Sequence, residues 1–242
     1  MMNEENQLEV LDDRKWSQLW ERYLAEAIAF DPLEKHEINC IVPLPDRKGV
    51  LVFTEKGCFY NTQSALNTLR HFAFAHCFPD YSIFSSVLKD IGSFGKYKSP
   101  WVCPFFALFP LEGVRHTVWI NPLKIRDVST SGLLIYAEMV DGLMLNVPIQ
   151  RYAILLRAEI ACAVLASVRQ DSFYHPTLGG APKDYLKLYR TPFGNSLRKR
   201  PMLQQFTTKA GEVNRRYQRA RFLHYYDDLI DDPENMSWES WN

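Results

Sequence analysis

The chain has 242 residues, 47% of them hydrophobic, and balances 28 Lys and Arg against 28 Asp and Glu, which is enough to bury one large core or two small ones. Its start, MMNEENQLEVLDD, lacks the basic and apolar regions of an export signal, and its most apolar run, Trp101 to Leu111, is too short and too broken by Pro104 and Pro110 to span a membrane, so a cytoplasmic protein is expected. The zero net charge conceals four blocks: ten acids and four bases in residues 1–37, ten and thirteen in 38–182, two and eleven in 183–224, and six and none in 225–242.

Trp16, Leu19, Trp20, Tyr23, Leu24, Ala27 and Ile28 recur at the spacing of an amphipathic helix, with Asp12 and Asp13 at its start and Asp31-Pro32 at its end. From Ile38 the period shortens. Ile38–Leu44 and Val50–Thr54 read as strands about a turn at Pro45 to Gly49, and Cys58–Tyr60 extends a third. Asn61 or Thr62 is placed to cap a helix through about Ala75, and a second short helix runs from Asp80 to Asp90. Strands follow at Trp101–Phe109, Thr117–Val128, Leu133–Val140 and Leu143–Val147, the last two joined by the hairpin dipeptide Asp141-Gly142.

Gln150 to Arg169 predicts a helix that turns Tyr152, Leu155, Leu156, Ile160, Ala163 and Val164 toward the sheet and Arg151, Arg157 and Arg169 toward solvent. Four prolines and three glycines between Tyr174 and Pro201 make an irregular connector, and a helix carrying Arg215, Arg216, Arg219 and Arg221 resumes after Thr208. The expected fold class is α+β: a mainly antiparallel sheet with packed helices, plus an N-terminal amphipathic helix and a C-terminal basic helical extension. Four regions are read: an acidic amphipathic helix in 1–36, an α+β core in 37–175, a basic connector and helix in 176–226, and an acidic tail in 227–242.

Little in the chain points to catalysis. The five cysteines, at 40, 58, 77, 103 and 162, form no CxxC pair and read as small buried hydrophobes in a reducing compartment. Gly92-Ser93-Phe94-Gly95-Lys96 lacks the spacing and the hydroxyl of a phosphate-cradling loop, His71 and His76 lie on different helical faces, and no GxSxG occurs. No catalytic residue, metal or cofactor is expected, and the chain is read as a protein other than an enzyme.

What remains is basic and aromatic. Lys96, Lys98, Arg115, Lys124 and Arg126 fall at loops and strand ends, and Arg198, Lys199, Arg200, Arg215 and Arg216 fall in the basic block. Clustered Lys and Arg neutralise phosphates and release counterions, and Arg also enters a narrow, electronegative minor groove. All ten are candidate DNA contacts. Two other readings stand beside this one: a solvated basic surface held by the acidic ends, and a protein-interaction module without DNA affinity.

Over about residues 38–170, the order of features resembles the ComK competence transcription factors. The resemblance rests on Pro100, Phe109-Pro110, Trp119-Ile120, Asp141-Gly142, Pro148 and Arg157, with Cys58-Phe59-Tyr60 and Cys77 where that family has comparable cysteines. It implies a cytoplasmic activator of DNA-uptake genes that binds paired A/T-rich boxes through the minor groove and acts as a homo-oligomer. Its implied partners are double-stranded DNA, RNA polymerase and a regulatory adaptor with its protease, with no membrane. At Phe78-Pro79-Asp80-Tyr81-Ser82-Ile83 the chain departs from the family's Gly/Ser-rich segment and keeps only the tyrosine.

Overall fold

The computed structural model describes residues 9–95, 98–114, 116–132, 134–172 and 179–231, with 227–231 by backbone alone. Helix α1 (Gln18–Glu26) follows Ser17 and leads directly into strand β1 (Ile28–Ala29). Strands β2 (Ile38–Pro43), β3 (Val50–Thr54) and β4 (Gly57–Asn61) form an antiparallel meander, and β1 lies parallel to β4 at its edge. Helices α2 (Ala65–Ala75) and α3 (Tyr81–Ile91) are capped by Ser64 and Asp80, whose side chains accept from the N–H groups of Asn67 and of Ser82 and Ile83. The cap falls on Ser64 because Asn61 still pairs with Val50 in the sheet.

Two expected strands are each divided, and in both a proline sits at the break. Trp101–Phe109 becomes β5 (Trp101–Val102) and β6 (Ala107–Pro110), because Pro104 has no N–H for a ladder and the Cys103 N–H bonds the Phe106 carbonyl at 3.0 Å to close a turn. Thr117–Val128 becomes β7 (Trp119–Ile120) and β8 (Ile125–Ser131). Between them the buried Asn121 accepts from Leu123 N at 3.0 Å and donates to Ile38 O at 3.1 Å, and Pro122 opens a 3-10 turn. That turn carries the chain from one sheet to the other. The larger sheet has the order β1-β4-β3-β2-β7-β6-β5, and β8 joins β9 (Leu134–Met139) and β10 (Met144–Asn146) in an antiparallel three-stranded sheet.

The larger sheet is covered on both faces, which is why its strands read as nearly unbroken apolar runs. A bulge at Asn39 shifts the pairing of β2 with β3, so Ile38 and Ile41 enter one core while Cys40 and Val42 enter the other. In the smaller core Leu66, Leu69 and Phe72 of α2 pack with Trp101, Phe106 and Trp119. The larger core gathers α1, α3, the three-stranded sheet and the helix α4 (Arg151–Asp171).

The phase of α4 corrects the expectation. Ala163 and Val164 are buried as expected, together with Ile154, Ala158, Ala161, Cys162, Leu165 and Ala166, whereas Tyr152 is 66% exposed and Leu156 is also exposed. Arg157 and Arg169 turn inward and donate to backbone carbonyls. A helix apolar on nearly every side leaves its buried stripe undefined in phase, and unpaired loop carbonyls attract guanidinium groups.

Segments near both ends of the described residues enter the larger core. Leu11 pairs with the β10 backbone, and Trp20 is fully buried with its indole N–H donated to Asp12 O at 2.9 Å. Helices α5 (Pro192–Arg198) and α6 (Glu212–Asp231) contribute Phe193, Leu197, Val213 and Tyr217. Of the cysteines, Cys40, Cys103 and Cys162 are buried as expected, and burial pushes the Cys103 thiol up to about 12. Cys77 is exposed instead, in a left-handed conformation just beyond α2. Among the described residues no helix is long and apolar enough to cross a membrane.

Candidate nucleic-acid interface

The basic block lies over α4 between two carboxylate anchors. Glu159, only 2% exposed, accepts from Arg200 Nε at 2.7 Å and from Met202 N at 2.9 Å. Asp171 accepts from the N–H groups of Gly211 and Asn214 at the start of α6, where a carboxylate also complements the helix dipole. The anchors are twelve residues apart on one helix, about 18 Å. Between them Arg169 donates to Pro104 O at 2.9 Å, to Tyr185 O at 2.7 Å and to Phe105 O, and burial holds its pKa below the ordinary arginine value.

Local chemistry then fixes α5. Thr191 Oγ1 accepts from Gly194 N at 3.0 Å, and Pro192 occupies the first turn. A Cβ on Gly194 would lie 2.3 Å from Tyr189 O, so only glycine lets α5 lie this close to the residue it follows. Phe193 and Leu197 bury that helix in the larger core and leave Lys187, Tyr189, Arg190, Arg198 and Lys199 exposed. Lys187 Nζ stands 5.8 Å and Lys124 Nζ 6.0 Å from the centre of the Tyr189 ring.

The ten candidate contacts do not form one surface. Lys96 and Arg115 lie outside the described residues. Lys98 is exposed at a left-handed φ of 57°, and burial together with the Arg157 charge holds its pKa down. Lys124 is buried and bonded to Glu37 at 3.1 Å, so its charge is already neutralised within the fold. Arg126 pairs with Glu138 at 3.0 Å on the exposed side of β8. Arg200 belongs to Glu159, and Arg216 pairs with Glu212 at 2.8 Å. Arg198 is exposed and donates to Leu188 O at 3.1 Å, while Lys199 and Arg215 are exposed and make no such contact among the described residues.

The structure thus places Arg198 at the end of α5 with Lys199 just past it, and anchors the start of α6, which carries Arg215 and Arg216, at Asp171, about 18 Å along α4 from Glu159. It adds Lys187, Tyr189, Arg190 and Arg219, which were not among the candidates. The signal for the first three was two bases on either side of a Leu-Tyr pair in Lys187-Leu188-Tyr189-Arg190, where Leu188 alone is half-buried. Among the described residues no carboxylate lies within ion-pair distance of Lys187, Arg190, Arg198, Lys199, Arg215 or Arg219. Nor do the described residues hold a cluster of His, Cys, Asp and Glu that fits a metal ion. Exposed cations around an aromatic ring are suited to phosphate groups and to the faces of bases.

No protein-family model, no curated protein and no solved structure matches this chain.

Proposed function

We propose that the protein binds double-stranded DNA with a preference for A/T-rich boxes and acts in the cytoplasm as a transcription activator of DNA-uptake genes. The observation that carries the binding reading is the group of Lys187 beside the Tyr189 ring, Arg190, Arg198 bonded to Leu188 O, and Lys199, all exposed and, among the described residues, without carboxylate partners, while the neighbouring Lys124 and Arg200 are internally paired. Such charges keep their full Coulomb attraction for phosphate, whereas a base already bonded to a carboxylate must first lose that partner. Arg215 adds phosphate affinity from α6. The A/T preference and the gene class rest on the ComK-like order of elements and on the absence of a recognition-helix motif in the sequence, both of which favour minor-groove reading.

The test is fluorescence anisotropy with two labelled duplexes, one with paired A-tract and T-tract boxes and one G/C-rich, at several salt concentrations. Tight, salt-sensitive binding that favours the A/T duplex is expected. Failure to bind either duplex at low salt rejects the proposal, and equal affinity for both rejects its A/T part.

A further inference from the structure

The N-terminal halves of α2 and α3, with the loop at Val114 and His116, border an open cavity of about 470 Å³. Its polar lining is Ser64, Asn67, Arg70, Ser82 and His116, and no carboxylate lines it. Arg70 Nη2 donates to Ser82 Oγ at 3.1 Å, and among the described residues no acid lies within ion-pair distance of Arg70. The acid next to the site in sequence, Asp80, caps α3 and already accepts from the N–H groups of Ser82 and Ile83.

What these side chains still offer is mainly donors. Ser64 Oγ accepts from Asn67 N, and Ser82 Oγ accepts from Arg70, so each hydroxyl keeps its own proton to give. Arg70 keeps its remaining N–H groups, and the side chains of Asn67 and His116 add an amide and an imidazole that make no hydrogen bond to the protein among the described residues. A guanidinium grouped with hydroxyls, an amide and an imidazole around one space suits an anion with several oxygens, and a planar guanidinium matches phosphate in particular.

Beside the donors stands an apolar wall of Leu66, Tyr81 and Val114. Tyr81 is fixed there, its hydroxyl donated to Ser99 O at 3.0 Å and its ring set edge-on to Trp119. A bare ion has no use for such a wall, whereas the organic part of a ligand does. The volume falls within the roughly 300–1,000 Å³ of small-molecule sites.

We propose that this cavity binds a small phosphomonoester, its phosphate held by Arg70, Ser82 and His116 and its organic group laid against Leu66 and Val114. Leu66 and Tyr81 belong to the smaller core, whereas α5 packs in the larger one, so the site is separate from the bases at 187–199 and does not rest on the DNA-binding reading.

The test is a titration of the isotope-labelled full chain, followed by amide NMR shifts, with phenyl phosphate, inorganic phosphate and phenol as probes. Phenyl phosphate at millimolar concentration is expected to give saturable shifts at residues 64–70, 81–82 and 116. Inorganic phosphate is expected to shift the same amides with weaker affinity, and phenol to shift none. Arg70→Gln is expected to weaken phenyl phosphate binding by about tenfold or more. Lys199→Ala is expected to leave it unchanged. Arg70 is exposed, the variant's own spectrum reports its fold, and His116→Ala, also at an exposed position, is expected to weaken binding as well. Absence of saturable shifts, or shifts confined to residues 187–199, overturns the proposal. So does an Arg70→Gln protein that binds phenyl phosphate as the wild type does, or a short DNA duplex that shifts residues 64–70 where phenyl phosphate does not. Equal affinity for the two phosphates rejects the part given to the apolar wall.

Discussion

Arg200 and Glu159 form an ion pair of 2.7 Å in which the carboxylate is 2% exposed and also receives the Met202 N–H. The arginine sits beside the exposed Lys199 in sequence yet is half-buried against an interior carboxylate. Removing one member of such a pair leaves the other charge buried without compensation. Arg200→Ala is expected to cost about 3 kcal/mol of stability. Lys199→Ala, exposed and unpaired, is expected to change stability by less than about 0.5 kcal/mol. Urea unfolding of the two variants checks the contrast.

Arg169 joins the β5–β6 turn to the connector through the carbonyls of Pro104, Phe105 and Tyr185. Replacing it with Met keeps most of its volume and removes every donor. We expect a loss of about 3 kcal/mol, because hydrogen bonds to a charged donor are strong and the abandoned carbonyls stay away from water. A shift of the urea midpoint with unchanged slope would bear this out; an unchanged midpoint would show that water satisfies the carbonyls.

These two arginines show where sequence reading reached its limit. The strands, the main helices and the Asp141-Gly142 hairpin follow from local patterns: β-branched runs, capping side chains and turn dipeptides act over a few residues. Arg157 and Arg169 read as solvent-facing because four of their acceptors lie on strands and turns 46 to 65 residues away and the fifth, Tyr185 O, lies 16 residues on in the irregular connector, beyond any local pattern. Lys124 is a similar case, since its partner Glu37 comes from the segment before β2. The charge block at 183–224 was legible as a block. Which of its bases stay free was decided by tertiary partners such as Glu159.

His36 is buried between Phe30 and Phe59, and burial, followed by the nearby Lys56 charge, holds its pKa below 6.5. The fold therefore keeps the neutral ring. Above pH 6.5 this contribution is fully present; as pH falls below 6.5 the unfolded chain takes up a proton that the folded chain binds only at lower pH, and stability declines. The slope from this group is at most about 1.4 kcal/mol per pH unit. His36→Phe keeps a ring in place and is expected to flatten the change in melting temperature between neutral and mildly acidic buffer.

Gly49 closes the β2–β3 hairpin at φ 114°, where a Cβ would lie 2.9 Å from Asn61 O and 2.9 Å from the Tyr60 ring. Both the backbone angle and the crowding oppose any side chain. Gly49→Ala is expected to destabilise the fold by about 2 kcal/mol, measurable by thermal or urea unfolding. Gly142→Ala meets no atom within 4 Å and carries only the cost of its positive φ.

Neutralising Arg190 and Lys199 together tests the exposed patch with little risk to the fold. If each contacts one phosphate, the plot of log affinity against log salt flattens by about 1.8, from about 0.9 per contact. The loss is expected to be similar on A/T-rich and G/C-rich duplexes, because phosphate contacts carry no sequence information. An unchanged salt slope would remove these residues from the interface.

The two anchors on α4 make that helix an indexing shaft for the basic block. Glu159 and Asp171 are separated by a fixed number of turns, so the angle between the α5 patch and the base of α6 is set by residue count as much as by distance. One residue inserted between them would rotate one anchor against the other by about 100° and lengthen the shaft by only about 1.5 Å. Change in this protein can therefore accumulate freely in the exposed side chains of α4, while its length between 159 and 171 stays locked to the relative setting of the two anchored segments.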